Sequence, residues 1–477
     1  MEMVDAEAPF LTEHTDDEPV LAGVSDFRGR PVYRSTSGWW RSALFVVVME
    51  VASAFAYYGV SANLITYLTG PLGHSSAAAA AAVNVWSGTA TPMPLLGAFV
   101  ADSWLGRYRS IILAGTLYVM WYAMITLASV LTAQHPSLSG DTSSHPLSLR
   151  VAFFYTSLYL IAMVQGAFIV FFLGTPTYRL YAPTPGAENP FALLARSLAA
   201  LAQHDNATLS SLLGNQKEYQ VEQKEDAVKK EEARGVVRLL SIWAACLAYG
   251  VVFAQFMTFF NKQARTLDRR IFGSLELPPA VLQMLGAATT LLFVPIYDRV
   301  LVPMLRRMTG SPSGLTLLQR VGTGMTLTLP TMLVAALVEI RRLETTHEHG
   351  LVDNADAIVP MCWAWLVPQY VLIGVAGVFA EVGMQEFFYD QMPSELRSLG
   401  MALYYSVIGM GNFISGALVS LIDHITNSGG GDSWFADNLN RAHLDYFYWL
   451  LAGLSATELA LFLRCASTYV YSHKRLR

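Results

Sequence analysis

Charged residues are scarce in this sequence. Of its 477 residues only 14% are Asp, Glu, Lys or Arg, whereas 53% are hydrophobic. A soluble domain carries about 25% charged residues, so this composition excludes an ordinary soluble protein and indicates a chain that needs a lipid bilayer as its surroundings. No nucleic-acid partner is expected.

Cysteines and catalytic signatures are also scarce. The three cysteines, Cys246, Cys362 and Cys465, lie in or at the ends of apolar segments and lack metal or disulfide spacing. No HExxH, GxSxG or paired-carboxylate arrangement occurs. We therefore expect no enzyme activity, no metal and no bound cofactor.

Long apolar runs are abundant instead. A helix needs about 20 apolar residues to cross the hydrocarbon core of a membrane, and ten segments meet this length. They are residues 41–68, 76–101, 110–132, 151–174, 236–260, 278–304, 317–340, 358–381, 396–422 and 444–465. An even count puts both termini on one side, and the basic residues that flank the first and last spans predict that this side is the cytoplasm.

The polar segments between these runs divide the chain. We predict an acidic cytoplasmic tail at 1–40, a four-span bundle at 41–174, a cytoplasmic linker at 175–235, a six-helix bundle at 236–466 and a cytoplasmic tail at 467–477. The fold class is therefore an all-α integral membrane protein with about ten transmembrane helices in two bundles. Plasma membrane and vacuolar membrane are both open, and the sequence does not set an oligomeric state.

A short motif follows the second span. Residues 97–109 read GAFVADSWLGRYR; Gly97 is a small residue where helices approach, Asp102 can meet the positive end of a neighbouring helix, Gly106 turns the chain and Arg107 stays on the anionic side. The motif resembles the signature loop of the major facilitator superfamily, in which it is a gating element. Tyr297, Asp298 and Arg299 echo it in the second block.

Three further runs resemble a narrower family. AYYG at 56–59, EHGLVDNADAIVP at 348–360 and EFFYDQMPSELRS at 386–398 are similar to the proton-coupled oligopeptide transporter family, in particular its plant nitrate and peptide transporter branch. The resemblance implies two six-helix bundles around a central cavity, alternating access, proton symport and a small-molecule substrate.

The resemblance also predicts an internal gap. LIAMVQG at 160–166 resembles the fourth helix of the family, but AFIVFFLGTPTYR at 167–179 resembles the end of its sixth helix. About 70 residues are then absent, which is enough for two membrane crossings of about 20 residues each and a loop. This accounts for ten helices instead of twelve.

Four glutamates stand out: Glu50, Glu339 and Glu381 fall within the apolar segments, where an ionised side chain costs about 2.5 to 3.5 kcal/mol, and Glu386 follows the eighth segment. By the resemblance Glu386 is the substrate-contacting cavity residue, with a buried ion pair as its alternative. Glu50 takes the first position of the proton-coupling ExxER motif, but Ser53 and Ala54 replace its partners, so coupling by the family mechanism is in doubt. For Glu339 we expect a snorkelling interfacial pair at a helix end, and for Glu381 two alternatives are open, a position that lines the cavity or one that faces the ninth span.

Aromatic residues complete the predicted cavity. Tyr57, Tyr58 and Trp86 are placed near Glu386 as substrate-cavity residues. Nitrate-binding relatives carry a histidine where this chain has Phe253, so nitrate is disfavoured. The sequence favours a secondary active transporter of a peptide or another nitrogenous or organic solute, with protons as the coupling ion; the alternative is a truncated isoform that does not transport and modulates a full-length partner.

Overall fold

The fold was analysed in a computed structural model. It describes residues 24–26, 30, 39–70, 72–93, nine helical positions between 109 and 127, and 180–181, and then 238–271, 275–310, 314–392, 397–428 and 432–469. The linker predicted at 175–235 lies almost wholly outside these residues. So do the fourth predicted span, the junction at 166–167 and the motif residues Gly97, Asp102, Gly106 and Arg107.

The first predicted span is helical, and so are residues 76–90 of the second. Helix α1 covers Trp39–Thr69, in agreement with the span predicted at 41–68, and helix α2 covers Ser76–Ala90. Ser75 caps α2 by accepting a hydrogen bond from the backbone N–H of Ala78. A run of alanines follows, and alanine has the highest helix propensity of any residue type. Strands β1, Val24–Ser25, and β2, Leu180–Tyr181, form an antiparallel pair.

Six helices of the second block are long and apolar enough to cross a membrane. They are Arg238–Arg265, Val281–Thr309, Leu317–Glu348, Trp363–Gln391, Gly400–Ser428 and Leu444–Thr468. Each contains most of one segment predicted between 236 and 466. The described residues do not establish the total of ten spans.

Several of these spans consist of shorter helical pieces. Their α-helices are α3 Leu247–Met257, α4 Phe259–Arg265, α5 Pro279–Ile296, α6 Val302–Thr309, α7 Leu317–Glu348, α8 Val367–Gln391, α9 Arg397–Ser428 and α10 Leu444–Thr468. A π-helical turn at Tyr297–Leu301 joins α5 to α6. The span Arg238–Arg265 is interrupted at Cys246 and again at Thr258, so it is a discontinuous membrane helix in which α3 is the middle piece.

The start of the eighth predicted span was wrong. Residues 359–362 form strand β6, Val359–Cys362, which pairs in parallel with β3, Leu267–Asp268. A 3-10 turn at Trp363–Leu366 follows before α8 begins, with a proline in its first turn. Proline is tolerated there because the first N–H groups of a helix have no partner within the helix. A further antiparallel pair joins β4, Arg270–Ile271, to β5, Leu275–Glu276.

Helix α9 of the second block contacts α2 of the first block as well as α3 of its own block. Glycines make this close approach possible. A Cβ atom on Gly411 would lie 2.4 Å from the Cα atom of Gly250, and one on Gly88 would lie 3.0 Å from the carbonyl oxygen of Gly409. Because small residues let membrane helices pack backbone to backbone, these pairs fix α9 against its two neighbours. Elsewhere in the second block, α7 packs on α8 and α10.

Candidate functional site

A carboxylate on α8 lies where α1 meets the second block. The Oε1 atom of Glu381 accepts a hydrogen bond from the Tyr249 hydroxyl at 3.1 Å, and Tyr249 is fully buried on α3. Gly377 lies one turn earlier on α8, and a Cβ atom there would make an ordinary contact of 3.5 Å with the same oxygen. Glu381 is only partly buried. Its carboxylate is therefore held by a neutral donor.

Two more tyrosines surround this carboxylate. Tyr58 on α1 and Tyr404 on α9 lie close enough for the charge of Glu381 to act on both hydroxyl groups. Among the described residues no Lys, Arg or His forms an ion pair with Glu381. The site is thus a single carboxylate with one tyrosine donor on α3 and two further tyrosines nearby, on α1 and α9.

The predicted aromatic residues come together beside this site. Tyr57 stacks on Trp86, with ring centroids 5.4 Å apart and planes at 19°, and it meets Tyr58 edge to face at 5.6 Å. Its hydroxyl lies 3.4 Å from Ser87 Oγ. Trp86 is fully buried. Of the three, Tyr58 is the one placed beside Glu381, while Trp86 lies behind Tyr57 in the packing of α1 on α2.

Glu386 lies elsewhere on α8. Its Oε2 atom accepts a hydrogen bond from Arg320 Nη1 of α7 at 2.7 Å. The guanidinium group of Arg320 also lies over the Tyr297 ring, 4.6 Å from its centroid. Five residues along an α-helix turn a side chain by about 140°, so Glu381 and Glu386 point to different sides of α8. The geometry places Glu386 in a pair with Arg320 rather than beside the predicted aromatics.

The snorkelling role predicted for Glu339 was wrong. Both Glu339 and Arg342 are fully buried, and their ion pair is 2.7 Å long. The span predicted at 317–340 ends too early, because α7 continues to Glu348 and keeps both Glu339, near the predicted boundary, and Arg342, just beyond it, in packed protein. Gln263 donates to Glu339 at 2.7 Å, and Arg342 donates to Asn440 Oδ1 at 2.8 Å.

At this same end of the bundle α2 is fastened to the second block. Asp437 Oδ1 accepts the backbone N–H of Ser76 at 2.7 Å and the Ser76 hydroxyl at 3.2 Å. Lys262 at the end of α4 donates to the Ser76 hydroxyl, and Asn261 donates to the Ala62 carbonyl of α1. These contacts join the two predicted bundles at one end.

Polar side chains continue this joint along α9. Asn84 of α2 and Gln255 of α3 each donate to Ser415 Oγ at 3.0 Å. Gln255 lies two residues after Phe253, which stands where nitrate-binding relatives carry a histidine. Phe253 packs in an aromatic row with Tyr249 and Phe256. The three side chains of this row are apolar apart from the Tyr249 hydroxyl.

The remaining predicted residues add little to the site. Glu50 lies within α1, but the structure describes only its backbone. A cavity of about 410 Å³ lies beyond Glu339, lined by residues that include Glu344, His347, His443 and Asp445. It is remote from Glu381, since it lies at the end of α7 opposite Arg320.

Sequence reasoning missed Glu381 and Tyr249 as a pair. The signal for Glu381 was present, because it is an acid in the middle of an apolar run. No comparable signal marks Tyr249, which reads as one aromatic among many. The hydrogen bond between them depends on how α3 and α8 cross, and that crossing is a property of the fold.

Six helices of membrane length among the described residues indicate a multi-pass membrane protein. Solved structures share the fold. An auto-inhibited POT family peptide transporter matches 92% of this chain and 99% of its own with a TM-score of 0.62 and 18% identity. The POT family transporter PepTSo matches 91% and 100% with the same TM-score and 19% identity.

Sequence comparison gives the family. Residues 166–435 match the POT family. Protein NRT1/PTR FAMILY 5.10 of Arabidopsis thaliana is 42% identical over 95% of this chain and 97% of its own length, and protein NRT1/PTR FAMILY 5.14 of the same plant is 40% identical over 95% and 97%. The chain belongs to the POT family, in agreement with the resemblance seen in its motifs.

The alignment with the first of these relatives bears on the predicted gap. It runs for 540 positions, whereas this chain has 477 residues, so at least 63 positions of the relative have no counterpart here. The alignment does not say where they fall. Because the match nevertheless extends over almost the whole relative, the alternative of a truncated isoform that does not transport is not favoured.

Proposed function

We propose that this chain is a secondary active transporter of a small nitrogenous solute, a peptide or a related amine, with Glu381 as the carboxylate that binds the solute. The observation that carries the proposal is the position of Glu381, which lies among Tyr58, Tyr249 and Tyr404 with no cation paired to it in the described part of the chain. An ammonium group of a solute would supply the missing counter-charge.

The tyrosines suit the rest of such a solute. Their rings offer apolar and cation-π contact, and their hydroxyl groups can donate to or accept from a peptide group. Related structures support a ligand of this class. POT family transporters were solved in complex with 5-aminolevulinic acid and with a thioalcohol-conjugated peptide, and both ligands are small nitrogenous compounds.

Protons are the coupling ion in this proposal. The family resemblance supports it, while Ser53 and Ala54 on α1 stand where the ExxER motif has its charged partners. A carboxylate in the second block that is not neutralised by a basic side chain is free to change its protonation state as the solute binds. Glu381 meets that condition among the described residues.

Uptake into proteoliposomes tests the proposal. Radiolabelled dialanine, N-acetyl-dialanine and nitrate are supplied with and without an inward proton gradient. We expect gradient-driven uptake of dialanine that acetylation of its amino group reduces. We expect Glu381→Gln to lower kcat/KM for dialanine by at least about tenfold, because a charge-assisted hydrogen bond is lost.

Glu344→Gln is the matched control, because Glu344 is an exposed acid on α7 that pairs with Arg341 at the surface. It should leave uptake within about twofold of the parent, since surface pairs contribute little. Dialanine uptake that is equal in Glu381→Gln and the parent would remove Glu381 from the site. Inserted protein with no gradient-driven uptake of any probe would remove the transport proposal for these solutes.

A further inference from the structure

A second buried carboxylate lies near the proposed site. Glu458 on α10 is only 4% exposed, and its Oε1 atom accepts the backbone N–H of Tyr249 at 2.6 Å. Its Oε2 atom has no hydrogen-bond partner among the described atoms. A buried carboxylate is costly unless it is paired or hydrogen-bonded. Among the described atoms, one backbone N–H, that of Tyr249, hydrogen-bonds the Glu458 carboxylate and offsets part of this cost.

That N–H is available because the membrane helix is broken. Helix α3 begins at Leu247 after the interruption at Cys246, whose side chain makes no capping hydrogen bond. The first four N–H groups of a helix lack partners within it, and Tyr249, as the third residue of α3, belongs to this first turn. The positive end of a helix favours a negative charge. Glu458 therefore caps α3 from a neighbouring helix.

Tyr249 connects the capping carboxylate Glu458 to the proposed site. Its backbone N–H donates to Glu458, while its hydroxyl donates to Glu381. The position of the first turn of α3 sets the position of the Tyr249 side chain, and hence the hydrogen bond that Glu381 receives. A change at Glu458 is in this way transmitted to a carboxylate on another helix.

We propose that Glu458 is a positioning residue that acts in two protonation states. The ionised carboxylate caps α3 and holds Tyr249 against Glu381, whereas a proton on Oε2 weakens the cap and loosens that contact. The step is the binding of a proton from water and its later release to water, and no bond to the solute forms. The inference deepens the proposed function, because it takes Glu381 as the solute-binding group.

The groups around Glu458 leave it free to titrate. On α3 it faces Cys246 and Tyr249, and Cys465 follows it on α10. Helix α7 also packs on α10, but Arg320 pairs with Glu386 and Arg342 pairs with Glu339. Among the described residues no cation is paired with Glu458, so its charge is balanced mainly by the end of α3.

Amide hydrogen exchange of the purified full-length protein tests this without any solute. Exchange in the segment 246–250 is followed over a series of pH values and corrected for the intrinsic dependence of exchange on pH. We expect protection in the parent to fall by at least about tenfold as the pH is lowered, because the charge-assisted cap is lost. In Glu458→Gln, which keeps an acceptor oxygen but cannot titrate, protection should not depend on pH. The same pH dependence in Glu458→Gln and the parent would overturn the proposal.

A second variant keeps the test decisive if Glu458→Gln fails to fold. Glu458→Asp still titrates but is one methylene shorter, so the cap is pulled back from Tyr249. We expect several-fold lower protection at high pH with the pH dependence retained. Protection equal to the parent at high pH would contradict the cap. Glu344→Gln, at the exposed surface, should match the parent throughout.

The link to Glu381 needs a transport readout. The KM for dialanine in proteoliposomes is measured against pH, and we expect Glu458→Gln to flatten this profile while kcat stays within about threefold. A profile identical to the parent would overturn the link. Failure of the proposed function is seen separately, since it would abolish the effect of Glu381→Gln on uptake and leave the exchange experiment unaffected.

Discussion

Carboxylates inside the second block are hydrogen-bonded differently in two regions of this molecule. Glu339 receives three hydrogen bonds from side chains, two from Arg342 and one from Gln263, and all three residues are fully buried. Glu381 and Glu458 receive hydrogen bonds from neutral donors of the same residue, Tyr249. Full pairing fixes a charge permanently, whereas a neutral donor leaves it able to bind a proton or a cation.

The paired region also holds several segments together. Besides Glu339, Arg342 bonds Asn440 and the Leu439 carbonyl in the segment before α10. Asn440 in turn donates to the carbonyls of Leu351 and Asn354, after the end of α7. This network ties α4, α7 and the approach to α10 at one end of the block. Among the described residues no comparable network of hydrogen bonds surrounds Glu381. A site that must change its protonation state needs this freedom.

Breaking the paired region should give the largest effect. Replacing Arg342 by Met leaves Glu339 buried with Gln263 as its remaining donor, and we expect the free energy of unfolding to fall by about 3 to 5 kcal/mol. Thermal unfolding of the purified protein in detergent measures this. Arg341→Met is the control, since Arg341 makes only exposed pairs with Glu344 and Glu348 and should cost less than about 1 kcal/mol.

The double variant Glu339→Gln with Arg342→Met sharpens the test. Removing both charges leaves no unpaired ion, so part of the lost stability should return. Equal losses in Arg342→Met and Arg341→Met would show that the buried pair is no different from a surface pair. The contrast between the two regions would then have no energetic basis.

An intermediate effect is expected where α9 passes α3. A side chain at Gly411 would overlap the backbone of Gly250, because a Cβ atom already lies 2.4 Å from its Cα atom. We expect Gly411→Val to cost about 1 to 3 kcal/mol of unfolding free energy through overpacking. Since α3 carries Tyr249, dialanine uptake should fall as well.

Gly453→Val on α10 is the matched control, because a Cβ atom there has no neighbour within 4 Å. Both substitutions place a β-branched residue within a helix, so the difference between them isolates the packing. Similar melting temperatures for the two variants would argue against the close crossing of α3 and α9.

The sequence was sufficient for the helices and insufficient for their contacts. Apolar length alone located the six spans of the second block, and short motifs identified the family. The end of α7 was missed because Glu339, Arg341 and Arg342 look like a membrane boundary, whereas packed protein buries two of them. The start of α8 was missed because the strand Val359–Cys362 is as apolar as a helix.

The site shows the same limit. A lone acid in an apolar run is visible in sequence, so Glu381 and Glu386 were both candidates. Which of them faces the tyrosines depends on the rotation of α8 about its axis, and that is set by packing against α3 and α7. Likewise, the partner of Glu458 is a backbone N–H released by a helix break at Cys246. No residue type in the sequence signals such a break.

The smallest effect should come from Glu386, and it decides between the two carboxylates of α8. The family resemblance places Glu386 in the cavity and predicts that Glu386→Gln abolishes transport. Its side chain is 50% exposed and pairs with Arg320, so the geometry predicts a stability change below about 1 kcal/mol and a dialanine KM close to that of the parent. Uptake by Glu386→Gln and Glu381→Gln, measured side by side at equal protein density, separates the two. Loss of uptake in Glu386→Gln alone would show that Glu386, as the family resemblance predicts, is the cavity residue. It would also mean that the pair with Arg320 opens when the solute binds.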